Sequence, residues 1–391
     1  MKIIKAEAYH ISLPMKFVFK TSFGEIKQRD TIIVKLTTDN GQVGYGESAP
    51  LTEPVYLEES IGTCKHLIQD LLFPLILNKS LTPADFVQLT FHLRGNRIAK
   101  FGIETALWMI QSLSEQKNIK DLLGGVKQEI EIGENIGILP SIHQTLDLIQ
   151  KRLDEGYKRI KLKISPGHDL ELLKKVRTKF PNEPLMVDAN SAYTLKDVEL
   201  FKKLDQFYLM MIEQPLGFDD IIDHAQLQKH IKTPICLDES IISYEHARKA
   251  IEIGACRIIN VKPGRIGSLV ETSHINQLAK KNNIKLWCGG MIEAGIANAY
   301  NLYAASLSEF SLPADLSPSS QFFENYIIKP GIQMLKPGIV AVPENIGLGF
   351  EVDEEMITRH IVEKLVSKGL CLIFLSYPLI FSCLTSGFNS V

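Results

Sequence analysis

The chain has 391 residues, of which 45% are hydrophobic and 23% are charged, and its formal net charge is −2 at pH 7. This length is greater than one ordinary core needs and suggests about two domains. The charge balance argues against nucleic acid as a partner, because phosphate binding requires clustered Lys and Arg side chains. The six cysteines show no CxxC spacing. This excludes a zinc site of that type and a disulfide framework, and it favours a reduced, cytoplasmic protein.

Neither end of the chain predicts a membrane partner. The first residues, MKIIKAEAYHISLP, lack the continuous apolar stretch of a signal peptide. Near the other end, residues 370–384 form the apolar run LCLIFLSYPLIFSCL. This run is shorter than the roughly 18 apolar residues of a spanning helix, and Pro378 interrupts it. We therefore treat residues 366–391 as an atypical apolar tail, with a membrane tail anchor as the alternative.

Residues 1–125 predict a small α+β domain. The segments KIIKAEAYHISL and DTIIVKLTTD alternate as strands do, and an Asn-Gly turn at 39–42 joins the second segment to VGYGESAP. Three later segments show helical spacing, namely YLEESIGTCKHLIQDLL, TPADFVQLTFHLRG and FGIETALWMIQSLSEQ. In the second of these, Thr82 is expected to cap a helix that begins with proline.

Residues 126–320 are predicted to form the second domain, and after the linker LLGGVKQ (122–128) short β-rich segments alternate with helical segments. The β-rich segments are EIEIGENIGI, RIKLKIS, PLMVDAN, LMMIEQP, PICLDES, IINVKPG and IKLWCGG. Such alternation indicates a parallel sheet, and seven or eight units close into a (β/α)₈ barrel. A doubly wound open sheet is the alternative, but we find no GxGxxG motif after the first strand.

Five consecutive barrel strands end in a charged residue, at intervals of 24 or 25 residues. In chain order these residues are Lys163, Asp188, Glu213, Asp238 and Lys262. The carboxyl ends of barrel strands surround one mouth, which is where active sites of such barrels lie. The segment RIKLKIS also places Lys161 on the same strand face as Lys163, since side chains alternate along a strand. The spacing therefore predicts one site with three acids and flanking lysines.

The residue types predict the chemistry of this site. Three carboxylates suit a hard divalent cation, with Mg²⁺ first and Mn²⁺ second, whereas Zn²⁺ prefers His or Cys. A metal-bound carboxylate substrate would lose its α-proton to a lysine, and the cation would stabilise the enediolate that forms. We expect the cation and burial to lower the pKa of the flanking lysines. The alternative is a purely structural ring of ion pairs.

These residues resemble a known family. The KLK motif, the three acids, LDES and KPGRIGS are similar to the muconate-lactonizing subgroup of the enolase superfamily over residues 1–365. The segments FKTSFG (19–24), GYGESAP (44–50) and CGGMIEAGI (288–296) resemble the branch that contains o-succinylbenzoate synthases and N-succinylamino acid racemases.

The resemblance implies a fold and roles for individual residues. It implies a barrel capped by the first domain, with residues 321–365 returning to that cap. It also implies Mg²⁺ on the three acids, Lys163 as general base and acid, Lys262 as opposite base or stabilising cation, and Lys161 as an electrostatic assistant. The substrate contacts it implies are Thr21, Ser22, Phe23, Gly24, Asn135, Gly289, Gly290 and Met291. The supporting residues are Asn190, Glu239 and Arg265.

The implied reaction is dehydration of 2-succinyl-6-hydroxy-2,4-cyclohexadiene-1-carboxylate to o-succinylbenzoate, a step towards menaquinone. Racemisation of N-succinylamino acids, alone or as a second activity, is the alternative within the family. A metal-binding protein without catalysis is the alternative from another class. The partner would be a small carboxylate, and a homo-oligomer stays open. Departures from the family pattern at Glu134, Asn135, residues 295–300 and Ser268 are expected to affect substrate preference.

Overall fold

The computed structural model describes residues 1–21 and 24–367. Ser22 and Phe23 of the predicted substrate loop, and the apolar run at 370–384, lie outside the described residues. The chain begins with three antiparallel strands, β1 (Ile3–Thr21), β2 (Gly24–Thr38) and β3 (Val43–Ser48). The predicted turn at 39–42 is confirmed, since Thr38 N donates to Gln42 O over 3.0 Å.

Helices cover one face of this sheet. They are α1 (Ile61–His66), which continues through a wider π-type turn at 67–72 into α2 (Phe73–Ile76), then α3 (Pro83–Leu89), α4 (Arg97–Glu115) and α5 (Ile119–Leu123). The cap at Thr82 is confirmed, because its hydroxyl accepts from Asp85 N over 3.1 Å. The helix predicted from Tyr56 is wrong at its start. Ser60 forms a capping box with Thr63 and begins the helix later, so Tyr56 lies in a loop.

The second part of the chain alternates strands and helices as predicted. Its strands are β4 (Glu129–Glu131), β5 (Glu134–Ile136), β6 (Ile160–Lys163), β7 (Leu185–Asp188), β8 (Ile212–Glu213), β9 (Ile235–Leu237), β10 (Ile258–Val261) and β11 (Lys285–Cys288). Its helices are α6 (Ile142–Asp154), α7 (Leu170–Lys179), α8 (Val198–Leu204), α9 (Ile222–His230), α10 (Tyr244–Glu252), α11 (Pro263–Ile266), α12 (Leu269–Asn282) and α13 (Ile296–Ala305). Strands β5 to β11 pair in chain order in one parallel sheet.

A short segment after α13 closes this sheet into a barrel. Asp315 N donates to Cys288 O of β11 over 2.9 Å. On the other side, Ala314 N donates to Glu131 O over 2.8 Å and Gly133 N donates to Ala314 O over 2.9 Å. Residues 312–315 therefore take the place of an eighth strand, and the predicted (β/α)₈-type barrel is confirmed.

The remaining elements lead the chain back to the first sheet. They are β12 (Ile328–Lys329), β13 (Met334–Lys336), β14 (Ile339–Ala341), β15 (Glu351–Val352), α14 (Glu354–Arg359) and β16 (Ile361–Val366). Strand β16 pairs antiparallel with β1, so the C-terminal segment completes the capping sheet as expected. Within the described part of the chain, no helix is both long and apolar enough to cross a membrane.

Buried glutamates of the cap bind the beginnings of two barrel helices. Glu104 accepts from Leu269 N over 2.8 Å and from Ser268 Oγ over 2.9 Å, at the start of α12. Glu47 accepts from Ala297 N over 2.8 Å at the start of α13. Carboxylates are favourable at helix N-termini because the free N–H groups and the helix dipole attract negative charge. These contacts hold the cap over the barrel.

Candidate active site

The five charged strand ends come together at one mouth of the barrel. Lys163 pairs in register with Asp188, and Asp188 pairs with Glu213 on the next strand. Two residues earlier on each strand, a side chain points the same way because strands have a period of two. On the three strands that end in an acid, these side chains are Met186, Met211 and Cys236. Together with Trp287 they form a buried hydrophobic layer below the carboxylates.

Lys163 is held between one charged and one neutral oxygen. Its Nζ lies 2.6 Å from Asp188 Oδ2 and 2.5 Å from Asn190 Oδ1. Asn190 Nδ2 in turn donates to Glu239 Oε1 over 3.1 Å. Asn190 has a φ of 41°, a left-handed backbone that asparagine tolerates better than most residues. Two of the three predicted supporting residues, Asn190 and Glu239, thus lie in one chain of hydrogen bonds that ends on Lys163.

Lys161 is buried among three carboxylates. Its Nζ lies 2.8 Å from Asp315 Oδ2, 3.2 Å from Glu213 Oε2 and 3.5 Å from Asp188 Oδ2, and it is 4.9 Å from the centre of the Trp287 ring. Burial disfavours the ammonium, but Asp315 and Glu213 outweigh burial and raise the pKa of Lys161 above its ordinary value. Lys161 is therefore a fixed positive charge beneath the mouth.

Lys262 faces Lys163 from the other side of the mouth. Its Nζ lies 2.8 Å from Asp238 Oδ2 and 2.7 Å from the hydroxyl of Tyr56, and the guanidinium of Arg265 contacts Asp238 directly. The predicted lowering of the pKa of Lys262 includes the effect of a bound cation, and the protein side chains by themselves act in the opposite direction. Burial does oppose its charge, but Asp238 and Tyr56 raise the pKa well above its usual range. Arg265 and Lys262 likewise overcome burial and hold the pKa of Asp238 well below its usual range.

Glu213 is the acid whose charge is least compensated. Asn260 Nδ2 donates to its Oε1 over 2.7 Å, whereas its buried Oε2 receives no hydrogen bond from a described residue and has only the ammonium of Lys161 beside it, at 3.2 Å. Burial, and then the charge of Asp188, raise the pKa of Glu213 to about 8. A cation beside this oxygen would reverse that shift.

The donor set fits a hard divalent cation. Asp188, Glu213 and Asp238 offer only oxygen atoms, and Mg²⁺ prefers oxygen ligands. Among the described residues, no three His, Cys, Asp or Glu side chains already converge as a finished metal site. Instead Lys163 and Lys262 occupy oxygens of Asp188 and Asp238, as in the predicted alternative of an ion-pair ring. The fit therefore depends on the donor types and on Glu213 Oε2, which receives no hydrogen bond from the described residues.

A cavity of about 520 Å³ lies over these residues, between the cap and the barrel. A volume of this size is typical of small-molecule sites. Lys161, Lys163, Asp188 and Lys262 line it from the barrel side. The cap contributes mostly apolar side chains and two polar ones, namely Ile26, Ala49, Leu51, Tyr56, Leu57, Glu59 and Ile98. The cavity distinguishes this cluster from an ion-pair ring packed inside protein.

The expected substrate contacts have different positions around this cavity. Asn135, Gly290 and Met291 line it. Gly289 lies behind it, where a Cβ would come within 2.3 Å of Asn260 Oδ1, so only glycine fits. Thr21 and Gly24 pair with each other at the tip of the β1–β2 hairpin. The nearest described side chain of that hairpin in the cavity wall is Ile26.

The departures from the family pattern are also distributed unevenly. Asn135 lies in the cavity wall, but Glu134 points away from it and pairs with Arg152 over 3.0 Å. Ser268, whose departure is expected to affect substrate preference, does not line the cavity. Its hydroxyl caps α12 and contacts Glu104, because it sits at the junction between cap and barrel.

Two residues at the site were missed in the sequence. Asp315 ends the short eighth strand, and the sequence there shows no alternation of apolar and polar residues that would predict a strand. Its signal was the spacing, since it follows Cys288 by 27 residues, close to the interval of the other strand ends. Tyr56 was assigned to a helix, and its sequence context offers no comparable signal.

Comparisons with known proteins agree with this architecture. Residues 3–124 match the family model described as the mandelate racemase/muconate lactonizing enzyme N-terminal domain, and residues 144–356 match the enolase C-terminal domain-like model. The chain belongs to the mandelate racemase/muconate lactonizing enzyme family of the enolase superfamily. Both matches together span most of the chain, and each covers one of the two structural parts described above.

Individual relatives place the chain in one branch of this family. It is 42% identical to the o-succinylbenzoate synthase of Bacillus subtilis strain 168, over 93% of this chain and 98% of that protein. It is 41% identical to the N-succinylamino acid racemase of Thermus thermophilus, over 92% and 97%. An enolase superfamily structure from Listeria innocua superposes with a TM-score of 0.90 and 38% identity, over 94% and 99%. The chain is thus an enzyme of the branch that contains these synthases and racemases, and the alternative of a non-enzyme is wrong.

Proposed function

We propose that this protein is an o-succinylbenzoate synthase that dehydrates 2-succinyl-6-hydroxy-2,4-cyclohexadiene-1-carboxylate to o-succinylbenzoate, a step towards menaquinone. The observation that carries the proposal is the pair Lys163 and Lys262, which face each other across one cavity beside three acids. The name of the Bacillus subtilis relative, at 42% identity, supports the same reaction. The reduced state of the four described cysteines, all buried and free, supports a cytoplasmic location.

Lys163 is the proton carrier in this proposal. It lines the cavity, and its side chain is 22% exposed. As a free amine it removes the proton α to the substrate carboxylate, and as an ammonium it returns that proton to the departing hydroxyl, so that water leaves. The electron pair left at carbon completes the aromatic ring of the product. Asp188 and Asn190 fix the direction of its Nζ.

Lys262 and Lys161 act as fixed positive charges. The ammonium of Lys262 lies at the cavity, 2.8 Å from Asp238, where it stabilises the negative charge that develops on the substrate. Lys161, held by Asp315 and Glu213, contributes a second positive charge from below. In the dehydration, Lys163 both removes the α-proton and returns it to the hydroxyl, so Lys262 does not need to transfer a proton.

Asp188, Glu213 and Asp238 would hold Mg²⁺, with Mn²⁺ as a substitute. When bound, this cation would neutralise charge on the substrate carboxylate as the α-proton is lost. Glu213 would supply its Oε2, which receives no hydrogen bond from the described residues and lies 3.2 Å from the Lys161 ammonium. Asn260 fixes the other oxygen of Glu213.

A product assay tests this proposal. The purified protein is incubated with Mg²⁺ and the cyclohexadiene carboxylate, and the aromatic product is followed by absorbance and chromatography. Conversion that stops on addition of EDTA and returns with Mg²⁺ is expected. Absence of conversion with Mg²⁺ or Mn²⁺ would reject the synthase.

Racemisation of N-succinylamino acids is the second candidate. Lys262 lies at the cavity opposite Lys163, so both faces of an α-carbon would have a lysine. The 41% identity to the Thermus thermophilus racemase supports this activity. Incubation with Mg²⁺ and N-succinylamino acids in D₂O distinguishes the candidates, because racemisation exchanges the α-proton for deuterium. A synthase without this second activity would leave the α-proton in place.

A further inference from the structure

Tyr56 brings a hydroxyl from the cap to the far side of the site. It lies in the loop between β3 and α1, and its Oη is 2.7 Å from Lys262 Nζ and 3.3 Å from Arg265 Nη1. The ammonium of Lys262 also lies 4.8 Å from the centre of its ring. Tyr56 therefore contacts Lys262 through its hydroxyl, with the ring close behind it.

The two lysines have matching sets of partners. Lys163 is held by Asp188 and by the neutral oxygen of Asn190, which follows Asp188 on the barrel. Lys262 is held by Asp238 and by the neutral oxygen of Tyr56. Both carboxylates belong to the set that would bind the metal ion. Of the two partners of each lysine, only the neutral oxygen belongs to a residue that is not a proposed metal ligand.

The origin of the neutral oxygen differs between the two faces. For Lys163 it comes from the same barrel mouth, two residues after a strand end. For Lys262 it comes from the cap loop, which also places Leu51 and Leu57 in the cavity wall. The position of the Lys262 ammonium consequently depends on the cap as well as on Asp238 of the barrel, whereas both partners of the Lys163 ammonium belong to the barrel.

We propose that Tyr56 is a positioning residue for Lys262, which fixes its ammonium in the cavity as Asn190 fixes that of Lys163. The contact itself is independent of the substrate. Its consequence for turnover rests on the proposed function, and above all on the racemase activity, in which Lys262 must exchange a proton with one face of the substrate. Loss of the hydroxyl should therefore affect one face of the substrate more than the other.

A labelling experiment tests the contact without any turnover. The substitution Tyr56→Phe removes the hydroxyl and keeps the ring, and Tyr208→Phe is the matched control because Tyr208 is 86% exposed. Metal-free proteins are treated with limiting acetic anhydride, and modification of each lysine is followed by peptide mass spectrometry. In Tyr56→Phe we expect Lys262 to react about fivefold faster, the effect of one lost hydrogen bond. Lys163 should react at the wild-type rate, and Tyr208→Phe should change neither.

Isotope exchange tests the consequence. With Mg²⁺ in D₂O, each enantiomer of an N-succinylamino acid is followed separately by NMR. Tyr56→Phe should slow exchange of one enantiomer at least about fivefold more than that of the other, and Asn190→Ala should show the opposite preference. A merely structural defect would slow both enantiomers equally.

The outcomes separate this inference from the proposed function. Unchanged labelling of Lys262 in Tyr56→Phe, or equal acceleration at Lys163 and Lys262, would overturn the role of Tyr56. Equal slowing of both enantiomers would overturn it as well. If the wild-type protein exchanges neither enantiomer, the racemase candidate fails, and the labelling result alone then decides whether Tyr56 holds Lys262.

Discussion

Lys161 Nζ lies 2.8 Å from Asp315 Oδ2, and this pair joins the second strand of the barrel to its eighth. Asp315 also contacts the guanidinium of Arg159, so one carboxylate holds two buried cations. Trp287 lies against both cations, with its ring centre 4.8 Å from the Arg159 guanidinium carbon and 4.9 Å from Lys161 Nζ. The closing strand thus supplies the main counter-charge beneath the site.

Replacing Asp315 should therefore affect stability as well as activity. Asp315→Asn keeps the shape but leaves Lys161 and Arg159 with less compensation. We expect a loss of about 3 kcal/mol in the free energy of unfolding, as is typical when one member of a buried ion pair is removed. Urea denaturation measures this. The control is Asp121→Asn, since Asp121 is 65% exposed and lies 3.8 Å from Lys120. Equal stability of both variants would contradict the role of Asp315.

Glu213→Gln should weaken metal binding. The substitution removes the negative charge of the acid whose Oε2 has no hydrogen-bond partner among the described residues. Loss of a residue that only hydrogen-bonds to a metal ligand already lowers metal affinity or activity about 10–100-fold. Loss of charge on a ligand itself should therefore lower the affinity for Mg²⁺ at least about tenfold. Calorimetric titration measures it, with Glu199→Gln on an exposed helix as the control. Unchanged affinity in Glu213→Gln would remove this residue from the ligand set.

Arg29 joins the cap to the loop after β11. Its buried guanidinium donates to Ala49 O over 2.6 Å, to Met291 O over 3.2 Å and to Ile292 O over 3.0 Å. Arg29→Met leaves these carbonyls without their donor, and we expect a loss of about 3 kcal/mol in unfolding free energy and a raised KM. Arg248→Met on the surface of α10 is the control. If the unfolding free energy of Arg29→Met lay within about 0.5 kcal/mol of that of the control, Arg29 would not be what holds the cap to this loop.

Lys100 should make stability depend on pH. Burial, followed by the charge of Arg97, lowers its pKa from 10.5 to about 8. Between these values the unfolded chain binds a proton that the folded protein has released, so raising the pH favours folding. The unfolding free energy of the wild type, relative to that of Lys100→Met, should consequently rise from about pH 8 to pH 10.5. A difference that stays constant over this range in urea titrations would refute the assignment.

Much of the site could be predicted because a barrel repeats. Each strand and helix unit has a similar length, so residues such as Asp188 and Glu213 that end successive strands recur at a fixed interval and meet at one mouth. The partners of Lys161 and Lys262 could not be predicted in the same way. Asp315 ends a segment too short to show alternation, and Tyr56 reaches the site only because Ser60 begins the helix after it.

The effect of the neighbouring side chains on the pKa of Lys262 could not be predicted from the sequence for a related reason. The sequence places acids and lysines at the same mouth, but it does not tell which oxygen lies nearest to each ammonium. In the structure Asp238 lies 2.8 Å from Lys262 Nζ, and this short distance outweighs the effect of burial. Electrostatic effects at a few ångströms depend on such distances more than on composition.

The dehydration rate of Lys163→Ala tests the central claim most directly. The variant lacks the proposed proton carrier, and Lys202→Ala on an exposed helix serves as the control. General acid–base groups contribute about 10²–10⁴-fold, so we expect kcat for conversion of the cyclohexadiene carboxylate, with Mg²⁺ present, to fall by about 10³-fold or more. The control should keep its full rate. A Lys163→Ala protein that folds, binds Mg²⁺ and retains kcat within a factor of about ten would contradict the account.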